Sequence, residues 1–427
     1  MLRKEPRIWR NTGWMTLAQG GQLVIQALYF VLIARALGAG GFGAFAAALA
    51  LVSILSPLAA LGTGNLLVMY VARRPGSFGR YWGNALLAIP VAGVPLLLLS
   101  LVGAVLLVPN LSPQIVVALG FSEFFFARLV DSSAQAFQAF ERMLYTAVLG
   151  VLPSVCRLGA AVVFVAIEPS PEPVKWSFWY LAATIVAAGC AFTTVNRVLG
   201  RPELDTSLLF RHLKESVYFS LGQSSANVYT DIDKAMLARL ATLDAAGVYA
   251  AAYRATAVAF APVSSMLNST YARFFQRGTA GVRGSLSLAR SLLPFAVIYG
   301  LGASALLFFA APLAPHVLGG DYADSVGALR WLSPLPAILA WYYLAGNTLT
   351  GANRQGIRTA FQIAAAFLNV ALNIWLIPLY SWRGAAWATL ASMAFLAVGL
   401  WVAVWMTLKQ SPAEHSHDHA HPRLAPR

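Results

Sequence analysis

A chain of 427 residues that is 59% hydrophobic and only 11% charged is not a soluble globular protein, in which about a quarter of the residues would be charged. The formal charge of +14 invites a nucleic-acid partner, but its distribution along the chain follows membrane topology instead. The two cysteines, Cys156 and Cys190, lie inside apolar runs, so no disulfide framework is implied and both read as small core hydrophobes.

The N-terminal stretch MLRKEPRIWRNTGW is basic, and no small-residue cleavage site follows its first apolar run. It reads as the start of a retained helix. Apolar runs near twenty residues then recur at 13–36, 43–71, 83–108, 114–139, 144–167, 177–198, 214–238, 246–270, 290–311, 328–350, 357–378 and 384–408. Each is long enough to cross a bilayer as a helix, whereas barrel strands would be shorter and strictly alternating. At about 36 residues per crossing, the loops are short and no sizeable soluble domain fits. The expected fold is an all-α polytopic membrane protein with twelve transmembrane helices.

With the N-terminus placed inside and the sides alternated, 21 of the 30 Lys and Arg residues fall in inner segments. Five (Arg35, Lys175, Arg239, Arg330 and Arg383) fall at outer ends. This asymmetry predicts cytoplasmic termini in the cytoplasmic (inner) membrane, with affinity for anionic membrane lipids. It also removes nucleic acid from the list of partners. The remaining four cations, Arg128, Arg157, Lys234 and Arg254, lie within spans beside four acids, Glu123, Asp131, Asp231 and Asp233.

Several spans carry polar stripes at helical spacing. The first has Gln19, Gln22 and Gln26. The fourth has Arg128, Asp131, Gln135, Gln138 and Arg142. The seventh, in the charged stretch VYTDIDKAMLARL, has Ser216, Ser220, Gln223, Asn227, Asp231 and Lys234. The tenth has Tyr343, Asn347, Thr350 and Arg354, and the eleventh Gln362, Asn369 and Asn373. Such a stripe cannot face lipid, so it faces a wet cavity or another helix. Asp233 leaves the stripe of its span, and the spacing predicts a structural ion pair with Arg254 on the next helix. Gln19, Arg128, Asp131, Gln135, Arg157, Gln223, Asn227, Asp231 and Lys234 are the candidate substrate-binding residues. Arg128 and Lys234 are expected to face one another from two halves of the molecule.

Two halves follow from self-similarity. ARALGAGGFGAFAA at 34–47 aligns with ARLATLDAAGVYAA at 238–251, matching Arg35 with Arg239, Gly43 with Gly247 and Phe45 with Tyr249 at an offset of 204. QAFER at 138–142 aligns with TGANR at 350–354 at an offset of 212. Six spans per half make the halves parallel repeats about an axis along the membrane normal, with substrate sites expected between them. The expected division is a six-helix lobe at 1–211, a second at 212–410, and a disordered cytoplasmic tail at 411–427. The tail alternates His415, His417, His419 and His421, with no second ligand cluster, and neither a metal site nor a cofactor is assigned. No phosphate loop, zincin motif, nucleophile elbow or dinucleotide loop is present, which argues against an enzyme.

Three segments resemble bacterial oligosaccharide flippases of the O-antigen type, in the multidrug/oligosaccharidyl-lipid/polysaccharide exporter superfamily. They are RALGAGGFGAFAAALALVS at 35–53, TDIDKAMLARLATLDAAGVYAAAYR at 230–254, and GANRQGIRTAFQIAAAFLNVALNIWLIPLYSWRGAAWAT at 351–389. The last holds Asn369, Asn373, Pro378, Gly384, Ala385 and Ala386 in the familiar places. The resemblance implies two six-helix lobes around a partly cationic cavity. It also implies transfer of a polyprenyl-diphosphate-linked glycan from the inner to the outer leaflet, with a glycan polymerase and export machinery as further partners. A cation-coupled multidrug antiporter of the same superfamily would show acidic cavity residues without basic ones. A membrane glycan polymerase or ligase would carry a longer outer loop than 168–176 or 312–327, and a peptidoglycan-precursor flippase would have further helices.

Overall fold

The computed structural model describes residues 5–109, 111–205, 213–279 and 281–410, with the side chains of 5–19 and 213–223 and a few single positions outside the description. Every regular element among them is helical. α1 (Glu5–Leu55) is two crossings folded together at Gly38, whose φ of 66° and ψ of 176° suit only glycine. The second crossing continues through the short turn Ser56–Ala60 into α2 (Thr63–Arg73). α3 (Phe78–Leu107) is the third. The fourth stacks α4 (Pro113–Gly120), a π-helical turn (Phe121–Phe126) and α5 (Ala127–Ala139) end to end. α6 (Met143–Ile167) and α7 (Pro173–Val198) complete the first half.

The second half runs through α8 (Leu213–Leu240), α9 (Leu243–Gly278) and α10 (Gly281–Ala310). α11 (Ala314–Leu318) continues the apolar stretch of α10, and the tenth crossing is broken into α12 (Ser325–Leu332) and α13 (Leu335–Gly351). α14 (Gln355–Tyr380) and α15 (Trp382–Gln410) close the chain. The described residues therefore make the twelve crossings expected, and an even number returns α15 to the end where α1 begins. That end is called proximal below, and the opposite one distal.

Seven helical stretches are long and apolar enough to cross a membrane by composition alone, the first of them the double crossing Gly20–Arg73. Crossings 4, 7, 8 and 10 are absent from that set, and the charged side chains that 4, 7 and 8 carry within their length include Lys234, Asp231 and Arg254 of the cavity described below. Large apolar side chains such as Leu106, Ile167, Ile298, Phe309 and Phe367 are exposed around the bundle. That is the surface expected where the surrounding solvent is lipid.

Two breaks depart from the expected spans. The second crossing is interrupted at 56–62, where Pro57 brings no N–H to the ladder and Leu61 (φ 48°) and Gly62 (φ 65°) turn left-handed. The fourth and tenth crossings also end before their predicted stripes do. Glu141 (φ 57°) and Asn353 (φ 59°) turn the chain, so Arg142 and Arg354 precede the next helices and do not extend a cavity stripe. The two turns are copies. Glu141 N–H donates to Gln138 C=O and Arg142 N–H to Phe137 C=O; Asn353 N–H donates to Thr350 C=O and Arg354 N–H to Leu349 C=O. All four pairs match at the offset of 212 read from the sequence.

Each half has its own core. Leu67, Val71, Trp82, Val130, Phe137 and Ala187 pack together in the first. Phe260, Val263, Phe274, Tyr342, Leu344 and Leu396 do so in the second. A third cluster, shared by both, includes Ala34, Ala46, Ala47, Ala238, Ala246 and Ala250. Small side chains there let the backbones approach. A Cβ on Gly43 would lie 1.8 Å from Leu243 O, and one on Gly247 would lie 1.9 Å from Ala39 O. The glycines matched by the internal duplication therefore meet across the pseudo-twofold axis at the distal end. Tyr322 adds a bond across the same seam, its hydroxyl donating to the C=O groups of Ala34 (3.0 Å) and Gly38 (3.1 Å). The lobe boundary expected at 211/212 and the tail 411–427 lie outside the described residues.

Candidate substrate cavity

Beneath the distal seam lies a cavity of about 350 Å³ lined by both halves. Its lining repeats the duplication: Phe30 and Lys234, Ala46 and Ala250, Leu49 and Tyr253, Ala50 and Arg254, and Ser53 and Ala257 are each 204 apart and all face it. The pseudo-twofold axis thus runs through the cavity, but the charges do not obey it. Lys234 stands where the first half has Phe30, and Arg254 where it has Ala50.

Each half contributes a cation held by its own carboxylate. In the first, Arg157 Nη2 lies 3.0 Å from Glu123 Oε1, and the guanidinium sits 4.1 Å from the centroid of the Tyr180 ring. Tyr180 donates its hydroxyl to the same Glu123 oxygen at 2.7 Å. Glu123 stands on the π-helical turn, a feature found more often at functional sites than elsewhere. In the second half, Lys234 pairs with Asp231 one turn away and lies 4.7 Å from the Tyr253 ring centroid. Asp231 also accepts a bond across the lobes from Ser53 Oγ at 2.9 Å, and Asn227 Nδ2 donates to Ser53 O at 2.8 Å. Gln26 at the cavity wall donates to Ser154 Oγ at 3.4 Å.

Arg128, Asp131 and Gln135 do not reach this cavity. They line a separate one of about 460 Å³ in the first half, against the broken stretch of the second crossing. There Arg128 Nη2 pairs with Asp131 Oδ2 at 2.9 Å, and Gln135 Nε2 donates to Asn65 Oδ1 at 3.4 Å. The expectation that Arg128 faces Lys234 is therefore corrected: the cation that shares a cavity with Lys234 is Arg157. The interruption at 56–62 opens its own recess between the second and fourth crossings, and Arg128 lines that recess. The side chains of Gln19 and Gln223 lie outside the described residues.

The expected Asp233–Arg254 ion pair is also corrected. Asp233 is 1% exposed and accepts bonds from Tyr249 (2.7 Å), Thr389 (2.6 Å) and Asn373 (2.6 Å). Asn373 is held in turn by Asn369 at 3.0 Å, and Asn369 donates to Ser392. Three neutral donors from α9, α14 and α15 satisfy the carboxylate. Arg254 makes no ion pair with it and instead lines the cavity wall. The residues that sequence reasoning missed as cavity lining are Tyr29, Ser53, Tyr180, Tyr253 and Arg254. The 204 offset pairs Ser53, Tyr253 and Arg254 with Ala257, Leu49 and Ala50, which carry no polar signal, and Tyr180 carries no signal of its own.

The chemistry on offer is a pair of cations from opposite lobes, each held by a carboxylate, and a third, Arg254, on the same wall, with aromatic rings and amides around them. Such a set suits an anion with two charged centres, because guanidinium and ammonium bond strongly to phosphate oxygens in a dry site. A family model described as polysaccharide biosynthesis protein matches residues 8–276. A probable low-salt glycan biosynthesis flippase, Agl15, from Haloferax volcanii is 22% identical over 252 residues, 58% of this chain and 52% of that protein. The alignment thus spans about half the length of this curated relative. Among solved structures, an inward-facing multidrug resistance MATE family transporter of the MOP superfamily superposes with a TM-score of 0.72 at 16% identity, over 93% of this chain and 99% of that one. The lipid II flippase MurJ in an inward closed conformation superposes at 0.70 and 11% identity, over 92% and 87%. At these identities the likeness is one of fold: two helical lobes of a multi-pass membrane transporter.

Proposed function

The chain belongs to the polysaccharide biosynthesis protein family, and from that premise we propose that it is a flippase carrying a lipid-diphosphate-linked oligosaccharide from the inner to the outer leaflet of the cytoplasmic membrane by alternating access. The observation that carries this reading is the cavity between the lobes, with Arg157–Glu123 from one and Lys234–Asp231 from the other. A diphosphate entering there would take the two cations as partners, and each carboxylate would keep a neutral donor, Tyr180 for Glu123 and Ser53 for Asp231. The diphosphate adds negative charge to a site whose two ion pairs are neutral, and Arg254 on the same wall offsets part of it. Because the two cations belong to different lobes, a bound diphosphate would link them. The polar recess around Arg128, Asp131, Asn65 and Gln135 offers amides and a carboxylate to sugar hydroxyls. Basic residues at the proximal end support its placement in the cytoplasm, and the Gly43–Gly247 seam supports a resting state closed toward the outer face. Catalysis has no place in this scheme.

Neutral pairs test it without leaving a buried charge unpaired. Glu123→Gln/Arg157→Gln and Asp231→Asn/Lys234→Gln should each reach the membrane at near wild-type level and lose export of the lipid-linked glycan in a complementation assay. Arg157→Lys should recover only part, since the bidentate fork is lost. Normal export by both neutral pairs at normal protein level would rule the reading out.

A further inference from the structure

Beside the polar cavity lies an apolar one of about 310 Å³. It is walled by the first crossing, α9, the end of α10, α11 and the start of the tenth crossing, with Val31, Val258, Leu307, Val317 and Leu329 among its lining. Many of the remaining positions are alanine, including Ala27, Ala251, Ala255 and Ala314, so small side chains leave open the space that larger ones would fill. Two residues, Phe30 and Arg254, line both cavities. The polar and apolar spaces are therefore neighbours with a shared wall. Arg254 is the one charged side chain in the apolar lining. Among the described residues it makes no hydrogen bond or ion pair, while Arg157 and Lys234 each have a carboxylate.

A cation at the rim of an apolar groove matches a ligand that is anionic at one end and hydrocarbon at the other. We propose that this groove is the subsite for the lipid end of the substrate: it holds the isoprene units next to the phosphate, and Arg254 binds the phosphate ester at the junction. The inference rests on the flippase reading and adds where the carrier chain sits. The remaining isoprene units continue into the bilayer beyond Val258 and Leu313, both of which are exposed. The chain is recognised by the width of an alanine-lined groove together with the charge at its mouth, so a bilayer phospholipid, whose phosphate is flanked by a glycerol ester, is a poorer occupant.

The full-length protein in detergent, given a short polyprenyl diphosphate with a diazirine on its first isoprene units, tests this directly. Irradiation should label the segments around 251–258 and 313–329. Unlabelled polyprenyl diphosphate should compete, and phosphatidylglycerol at the same concentration should not. Ala255→Trp should weaken polyprenyl diphosphate at least about tenfold, since each methylene withdrawn from contact is worth roughly fourfold. The same variant should leave inorganic diphosphate binding unchanged, because Ala255 does not line the polar cavity. Equal competition by phosphatidylglycerol, or labelling elsewhere in the wild-type protein, would overturn the subsite whatever the variant does. Loss of inorganic diphosphate binding in Glu123→Gln/Arg157→Gln, with full polyprenyl affinity in Ala255→Trp, would overturn the groove and leave the flippase reading standing. Failure of the wild-type protein to bind either diphosphate would overturn both.

Discussion

Asp233 holds a carboxylate in the membrane interior without a cation, and the three donors around it explain how. A hydrogen bond to a charged group contributes about 1.5–3 kcal/mol, and three of them compensate much of the desolvation that burial imposes. Asn373, Tyr249 and Thr389 tie α8 to α14, α9 and α15 through this one side chain. Thr389→Val, which keeps the shape and removes the donor, should lower stability by about 1.5–3 kcal/mol. A double-mutant cycle read by thermal unfolding in detergent should find coupling between Asp233 and Thr389. It should find almost none between Asp233 and Arg254, and the charge swap Asp233→Arg/Arg254→Asp should not restore protein abundance. Strong coupling to Arg254 would mean that the two side chains meet after all.

Among elements, the glycines separate into those whose neighbours can yield and those whose neighbours cannot. A Cβ at Gly43 meets backbone: Leu243 O at 1.8 Å and Gly247 N at 2.8 Å. A Cβ at Gly64 meets the end of a side chain, Gln135 Oε1 at 1.6 Å. Gly43→Ala must push whole helices apart and should cost about 1–3 kcal/mol, with Gly247→Ala behaving alike. Gly64→Ala should fold nearly as well as wild type, with Gln135 swung away from Asn65. Thermal unfolding of the three variants checks the contrast, and equal losses in all of them would contradict it.

At the scale of the molecule, the seam of small residues and the Tyr322 latch join the lobes at the distal end, and the cavity lies beneath them. Burial pushes the Tyr322 phenol above its ordinary range, so it remains a hydrogen-bond donor across neutral and mildly alkaline pH. A cysteine placed at Ala46, on the cavity wall, should react poorly with an impermeant maleimide added outside intact cells. It should react faster once Gly43→Ala or Tyr322→Phe loosens the seam. A cysteine at Arg283, at the proximal end, should stay unmodified from outside in every background. Rapid labelling at 283 would invert the proposed orientation.

Run length and composition were enough to determine twelve helical crossings, because a membrane demands that each segment satisfy its own backbone and cover its outside with hydrocarbon. The internal duplication was legible as well: Gly43 and Gly247, and the turns at Glu141 and Asn353, occupy equivalent places because both halves inherit the same local geometry. Of the stripe on the seventh span, Asn227 and Asp231 both bond to Ser53 and Asp231 pairs with Lys234. What helical spacing could not supply was the partner of each charge. Asp233 finds Asn373 and Thr389, 140 and 156 positions away, and Arg157 rather than Arg128 shares a cavity with Lys234. Spacing says which residues share a face of one helix, whereas a buried charge is settled by whichever donors the neighbouring helices bring within about 3 Å. That depends on kinks at Gly38, at 56–62 and in the π-helical turn, which rotate and shift the faces after the local pattern has been written.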